Sequence, residues 1–226
     1  PWDLVSVDCL TLKPSNHGRT NLVVFCDTYT KWIEAFPTEN TTAETIADLF
    51  INNIVLRYGE PKRLLSDQGK NFESSLVKDV CGILSTKKVR TTAYHPRCDG
   101  MVERFNRTII DQLRRYLVNE DFGNWEKYLP YVLFAYRAAP HESTKETPYF
   151  LMFGRQPNFE IDNNYIRKVT METIDYDSYR YFVAKTMQET QKLVMENIKK
   201  AQEKQKQYYD KKTKEKLFNS GDLVAL

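Results

Sequence analysis

The chain opens with Leu4-Val5-Ser6-Val7-Asp8-Cys9-Leu10, a short, mostly apolar run followed by turn residues at Lys13-Pro14-Ser15-Asn16-His17-Gly18. Two further β-rich runs, Asn21 to Cys26 and Lys31 to Phe36, come before Pro37. A period of two in the first strand puts Val5, Val7 and Cys9 on one face and Ser6 and Asp8 on the other. Apolar neighbours along that strand predict a central place in a sheet. Asp8 is then a carboxylate planted in a core element, where a metal or a partner is needed to offset its burial.

Helical spacing takes over at Thr41-x-x-Glu44, which reads as a capping box ahead of an apolar stripe of Ile46, Ala47, Phe50, Ile51, Ile54 and Tyr58. Gly59 and Pro61 stop that helix, and a short strand, Arg63 to Ser66, runs directly into Asp67. Phe72, Leu76, Val80 and Ile83 predict a second helix, and Lys88 to Thr92 another strand. After the loop Ala93 to Gly100, a long helix is expected to reach about Asn119, burying Val102, Phe105, Ile109, Leu113 and Tyr116. Residues 121–153 read as helical pieces interrupted at Pro130 and Pro140, and Gly154 to Val169 as a connector. A long exposed helix follows from Ile174 to about Tyr209, and Phe218 to Leu226 reads as a turn entering a strand. Strands first, then helix and strand in alternation, predict an α/β fold: a mixed sheet flanked by helices and followed by a long helical C-terminal extension.

Composition narrows the class. With 226 residues, 41% hydrophobic and 28% charged, the chain is sized for one or two globular domains. No apolar run nears the roughly 20 residues of a membrane span, so no membrane role is expected. The start at Pro1-Trp2 shows no secretory signal and no initiator Met, which reads as a fragment or processed product. Cys9, Cys26, Cys81 and Cys98 are widely spaced and there are three histidines, so neither a zinc site nor a disulfide framework is expected and a reducing compartment is. Net charge is only +3, yet residues 61–115 hold 12 Lys and Arg against 6 acids, and residues 185–216 hold 10 Lys against 5. Charge segregated this way suits a phosphate-facing surface, and it also suits solvated helix faces.

Three carboxylates stand out by placement: Asp8 in mid-strand, Asp67 just past a strand end, and Glu103 in the first turn of a helix. Taken singly, each has an ordinary reading, as an edge carboxylate, a turn residue and half of an i,i+4 pair with Arg107. Together they can hold two hard divalent cations about 4 Å apart, which suits attack on a phosphodiester. Asn106 and Arg107 share the helix face of Glu103, adding an amide and a guanidinium beside it.

The segments Pro1-Trp2-Asp3-Leu4-Val5-Ser6-Val7-Asp8, Leu65-Ser66-Asp67-Gln68-Gly69-Lys70-Asn71-Phe72 and His95-Pro96-Arg97-Cys98-Asp99-Gly100-Met101-Val102-Glu103-Arg104-Phe105-Asn106-Arg107-Thr108 strongly resemble retroviral-type integrase cores. Trp125, Leu129-Pro130, Phe134-Ala135-Tyr136, Thr147-Pro148 and Phe153-Gly154-Arg155-Gln156-Pro157 look like the gypsy-class LTR-retrotransposon branch. The resemblance implies an RNase H-like fold in which Asp8, Asp67 and, 35 residues further on, Glu103 bind two Mg²⁺ or Mn²⁺ ions. It also implies 3′-end processing of element DNA and its transfer into target DNA, by a homo-oligomer (dimer or tetramer) in the nucleus. DNA contacts are expected at Gln68, Lys70 and Asn71, at Arg97, and at Asn106 and Arg107. The loop from Tyr94 to Met101 corresponds to the family's mobile active-site loop, where His95 reads as structural.

The expected division is a catalytic core at 1–155, a connector and Lys-rich helix at 156–216, and the start of an SH3-like domain at 217–226, carried by Gly221-Asp222-Leu223-Val224. The family's His-His-Cys-Cys zinc domain is absent from this stretch, so joining of free DNA ends is expected to be poor. Two rival readings share these residues: a ribonuclease H, and a host-retained module that binds DNA or a partner without catalysis. The His-Pro-x-x-Asp-Gly-x-x-Glu-Arg context and the intact acidic set favour the integrase.

Overall fold

A computed structural model describes residues 1–90, 96–118, 121–158 and 176–212, with side chains described over 1–90, 106–118, 121–158, 181 and 184–208. The expected first strand is β1 (Leu4–Thr11), paired antiparallel with β2 (Asn21–Asp27), which pairs antiparallel with β3 (Ile33–Thr38). On its other side β1 pairs in parallel with β4 (Arg63–Ser66), and β4 in parallel with β5 (Lys87–Arg90). The order β3-β2-β1-β4-β5 makes β1 the central strand, as its apolar flanks predict. β3 continues through Pro37, an edge position where a missing N–H costs no ladder bond.

Helices cover both faces. One face packs Trp2, Val5, Val7, Phe25 and Leu64 against α1 (Ala43–Leu49), its π-helical continuation Phe50–Val55, the turn α2 (Leu56–Tyr58) and α3 (Ser75–Ile83). The other packs Leu22, Val24, Cys26 and Ile33 against α4 (Pro96–Tyr116) and α5 (Trp125–Ala138). Two short elements complete the described residues: a 3₁₀ turn at Phe122–Asn124 and α6 (Pro148–Phe153). The long final helix, α7 (Tyr176–Lys212), touches the rest through buried Val194 and through Asn197, whose amide donates to the Thr144 carbonyl at 3.2 Å.

Several boundaries differ from expectation. The cap of α1 is Thr42, whose hydroxyl accepts from the Thr45 N–H, so the capping residue lies one place after Thr41. α3 buries Val77 and Cys81 and leaves Leu76 and Ile83 exposed, because its inward stripe is turned from the expected phase, while Phe72 is buried just ahead of the helix. α4 begins at Pro96, inside the expected loop, since proline's fixed φ suits a first helical turn. It buries Leu117 at its end in place of Tyr116. α5 runs straight through Pro130, which is exposed, because Trp125, Leu129, Val132 and Leu133 hold both halves of the helix on the sheet. Tyr94, His95 and the expected turn and strand at 218–226 lie outside the described residues.

Edge strand β3 is clamped from outside. Arg137 of α5 donates to the Ile33 carbonyl, pairs with Glu34 at 2.9 Å and lies 4.3 Å over the Trp32 ring. Glu34 also accepts from Trp32 Nε1 at 3.0 Å and the Tyr58 hydroxyl at 2.6 Å. Burial, with that bond to Glu34 next in effect, pushes the Tyr58 phenol up to about 12. Arg137→Ala would leave a largely buried carboxylate without its cation and is expected to cost about 3 kcal/mol. Arg137→Met with Glu34→Gln, which keeps an acceptor for Trp32 and Tyr58, should recover most of that loss. Urea midpoints of the three proteins check this.

Candidate active site

Parallel pairing sets the site. Leu4, Val5 and Ser6 of β1 stand opposite Arg63, Leu64 and Leu65 of β4. Asp67 follows directly on β4, and Asp8 lies two residues past the last β1–β4 pair, Ser6 opposite Leu65, so both acids belong to this strand pair. Asp8 is half-buried and Asp67 exposed, so the pair lies where the sheet opens to solvent. Two bonds hold the Asp8 carboxylate: Oδ1 accepts from the Cys9 N–H at 2.8 Å, and Oδ2 accepts from Asn106 Nδ2 at 2.7 Å. Asp67 Oδ1 accepts from the Gly69 N–H at 2.9 Å, an Asx turn that folds the loop back on the carboxylate. A Cβ at Gly69 would stand 2.7 Å from Asn71 Oδ1 and 3.0 Å from Asp67 Oδ1, so only glycine closes that turn without displacing the acid.

Asn106 comes from α4, one turn after Glu103, and is buried at 7% exposure. Its Oδ1 has no hydrogen-bond partner among the described residues. A buried acceptor left open beside two hard carboxylate oxygens is the donor chemistry that a hydrated divalent cation satisfies. The site therefore fits such an ion on its Asp8–Asp67 side. Among the described residues no three Asp, Glu, His or Cys side chains form a metal set, and the side chain of Glu103 lies outside them. Helix α4 does carry Glu103 on the same strip as Asn106, since residues three apart share a helix face.

Cys9 reports on the carboxylates. Burial first, then the charges of Asp8 and Asp67, push its thiol up to about 12.

Comparison with known proteins now decides the lineage. The integrase core domain family matches residues 1–96. The chain is 29% identical over 230 residues to the retrovirus-related Pol polyprotein from transposon 412 of Drosophila melanogaster, a match covering 100% of this chain and 18% of that protein. It is 35% identical over 151 residues to the Gag-Pol polyprotein of Woolly monkey sarcoma virus, covering 67% of this chain and 9% of that polyprotein. The catalytic core domain of BIV integrase superposes with a TM-score of 0.54 at 25% identity, covering 66% of this chain and 92% of that one. The chain carries an integrase core domain.

Its fold is accordingly RNase H-like, and its likeness to the transposon 412 polyprotein agrees with the gypsy-class branch read from the sequence. A second structure, a simian T-cell lymphotropic virus intasome in complex with PP2A regulatory subunit B56 gamma, matches with a TM-score of 0.59 over 77% of this chain and 60% of that one. At 18% identity that likeness speaks for the fold. The chain spans less than a fifth of the curated relatives it matches.

Within the integrase core, the residues expected at DNA have different surroundings. Gln68 and Lys70, in the loop after Asp67, and Arg107, next to Asn106 on α4, are exposed. Asn71 is half-buried and donates through Nδ2 to the Thr41 carbonyl at 3.1 Å, tying the Asp67 loop to the start of α1. Asn106 is spent on Asp8, and Arg97 has its side chain outside the described residues. The hold of Asn106 on Asp8 was not legible as such, although its i+3 spacing from Glu103 was the available signal.

Asp8→Asn or Asp67→Asn should lower the apparent pKa of Cys9 while leaving it above the ordinary 9.0, because burial, the larger cause, remains. Alkylation of Cys9 followed against pH by peptide mass checks this. A profile identical to wild type would place the acids away from the thiol.

Proposed function

We propose that the chain is the catalytic core of an integrase that processes the 3′ ends of element DNA and joins them to target DNA. The observation that carries the reading is Asp8 on central strand β1 and Asp67 directly after its parallel neighbour β4, with Asp8 pinned from the helix that bears Glu103. Asp8, Asp67 and Glu103 would hold two divalent ions, Mg²⁺ or Mn²⁺. Bound there, such ions supply activation of the attacking oxygen and stabilisation of the leaving oxygen of a phosphodiester.

The protein's own part is to position and to neutralise. Asn106 fixes which oxygen of Asp8 faces the site, and the Gly69 turn does the same for Asp67. Lys70, in the loop after Asp67, and Arg107, next to Asn106 on α4, are exposed and suit phosphates flanking the scissile bond, with Gln68 and Arg97 alongside. Work on two DNA ends requires more than one active site, so a dimer or tetramer belongs to this reading, as does a nuclear location. Likeness of fold to a chain of an intasome supports the oligomer.

The test uses a Y-shaped oligonucleotide that mimics a branched integration product, whose 3′-hydroxyl already stands beside the scissile phosphate, which removes much of the positioning cost. Wild type is expected to resolve it in Mg²⁺ or Mn²⁺. Asp67→Asn and Glu103→Gln should each lose activity by a factor on the order of 100 or more while staying folded. A folded wild-type protein that left the branched substrate intact would favour the retained binding module. Cleavage of an RNA–DNA hybrid in its place would favour the ribonuclease.

A further inference from the structure

On the sheet face opposite the Asp8 side chain, the loop after Asp67 and the end of β5 share a cluster of charge. Glu73 pairs with Arg90 Nη2 at 2.6 Å and with Lys78 Nζ at 3.3 Å, while Lys88 Nζ stands 3.9 Å away. Lys88 is turned inward at 10% side-chain exposure and donates to Ser66 Oγ, which in turn donates to the Asp67 carbonyl at 2.7 Å. Three cations meet one carboxylate, so about two positive charges are left over beside the acidic pair. Glu73 and Lys88 are enclosed, whereas the Arg90 arm of the cluster opens to solvent.

Position gives the surplus a direction. β1, β4 and β5 run parallel, so their carboxyl ends lie along one edge of the sheet, the edge at which ligands of parallel sheets bind. Ser66 stands opposite Arg90 in the register, one residue before Asp67. The Arg90 side chain is 59% exposed, and Nη2 is the nitrogen that meets Glu73. A guanidinium anchored by one nitrogen and open to solvent is pre-set for an anion of phosphate shape.

We infer that Arg90, oriented by Glu73, contacts a DNA backbone phosphate at the carboxyl edge of β5. This rests on the DNA-joining reading above. Arg90 is a binding residue and Glu73 the group that positions it.

The test is a salt titration of duplex binding by the whole 226-residue chain. Arg90→Gln, which can still hydrogen-bond Glu73, should weaken binding of all sequences alike and reduce the slope of log K against log[salt] by about 0.9, the share of one phosphate. Arg90→Lys should keep the slope. Lys62→Gln, at the amino end of β4 where Lys62 pairs with Asp3, should behave as wild type. A wild-type slope in Arg90→Gln, with binding otherwise salt-dependent, overturns the Arg90 contact alone. A wild-type chain with no salt-dependent binding sinks the DNA-joining reading and this contact together. Chemical protection probes the same contact in the native protein, with no substitution to disturb folding. Bound duplex should slow phenylglyoxal modification of Arg90 several-fold and leave exposed Arg57 unchanged, and equal rates at Arg90 with and without duplex would overturn the contact.

Discussion

The structure depends on the parallel register of β1 against β4. Val5 and Val7 are buried on one face of β1, and Ser6 on the other, with Leu64 and Leu65 likewise buried beside them. A slip of one residue would turn every side chain of β1 to the wrong face, driving Asp8 into the layer that Val7 and Phe25 fill. Hydrophobic alternation therefore fixes the face of Asp8, and the same pairing that buries the valines sets β1 beside the strand that leads into Asp67. Helix α4 reads that register from above, through buried Ile109 and Leu113 and through the Asn106–Asp8 bond.

Much of this was legible in the chain because period-two patterns are hard to mistake. The strand at Arg63 to Ser66, the central place of β1 and the faces of Val5, Val7 and Asp8 all follow from alternation. Helical phase was less secure. In α3, Leu76 and Ile83 fit a stripe as well as Val77 and Cys81 do, and only the sheet beneath decides between them. Tyr116 and Leu117 pose the same choice at the end of α4. Pro130 reads as a break because its local cost is visible in sequence, whereas the burial of Trp125 and Val132 that offsets it is not. Resemblance puts Asn106 and Asn71 among DNA contacts, and what it does not show is that the Nδ2 of each donates inside the protein, to partners nearly 100 and 30 residues away.

Charge is divided between the two sides of the sheet's carboxyl edge. Carboxylates gather where β1 and β4 end, and the cations of β5 and α3 gather behind them around Glu73. Each group restrains the cost of the other: Lys88 lies near Asp67, and burial lowers its affinity for a proton, so a compact counter-charge sits within the fold. An acidic centre bordered by basic groups admits both cations and a polyanion, which is what phosphodiester chemistry on DNA requires.

The most direct test of a metal centre built on this register is crystallographic: locate Mn²⁺ by its anomalous scattering in crystals of the protein soaked with the ion. The expected peak is shared by the carboxylates of Asp8 and Asp67, with Glu103 drawn into the same centre and the Asn106 Oδ1 facing its hydration shell. A peak that avoids either aspartate, with the fold unchanged, would contradict it.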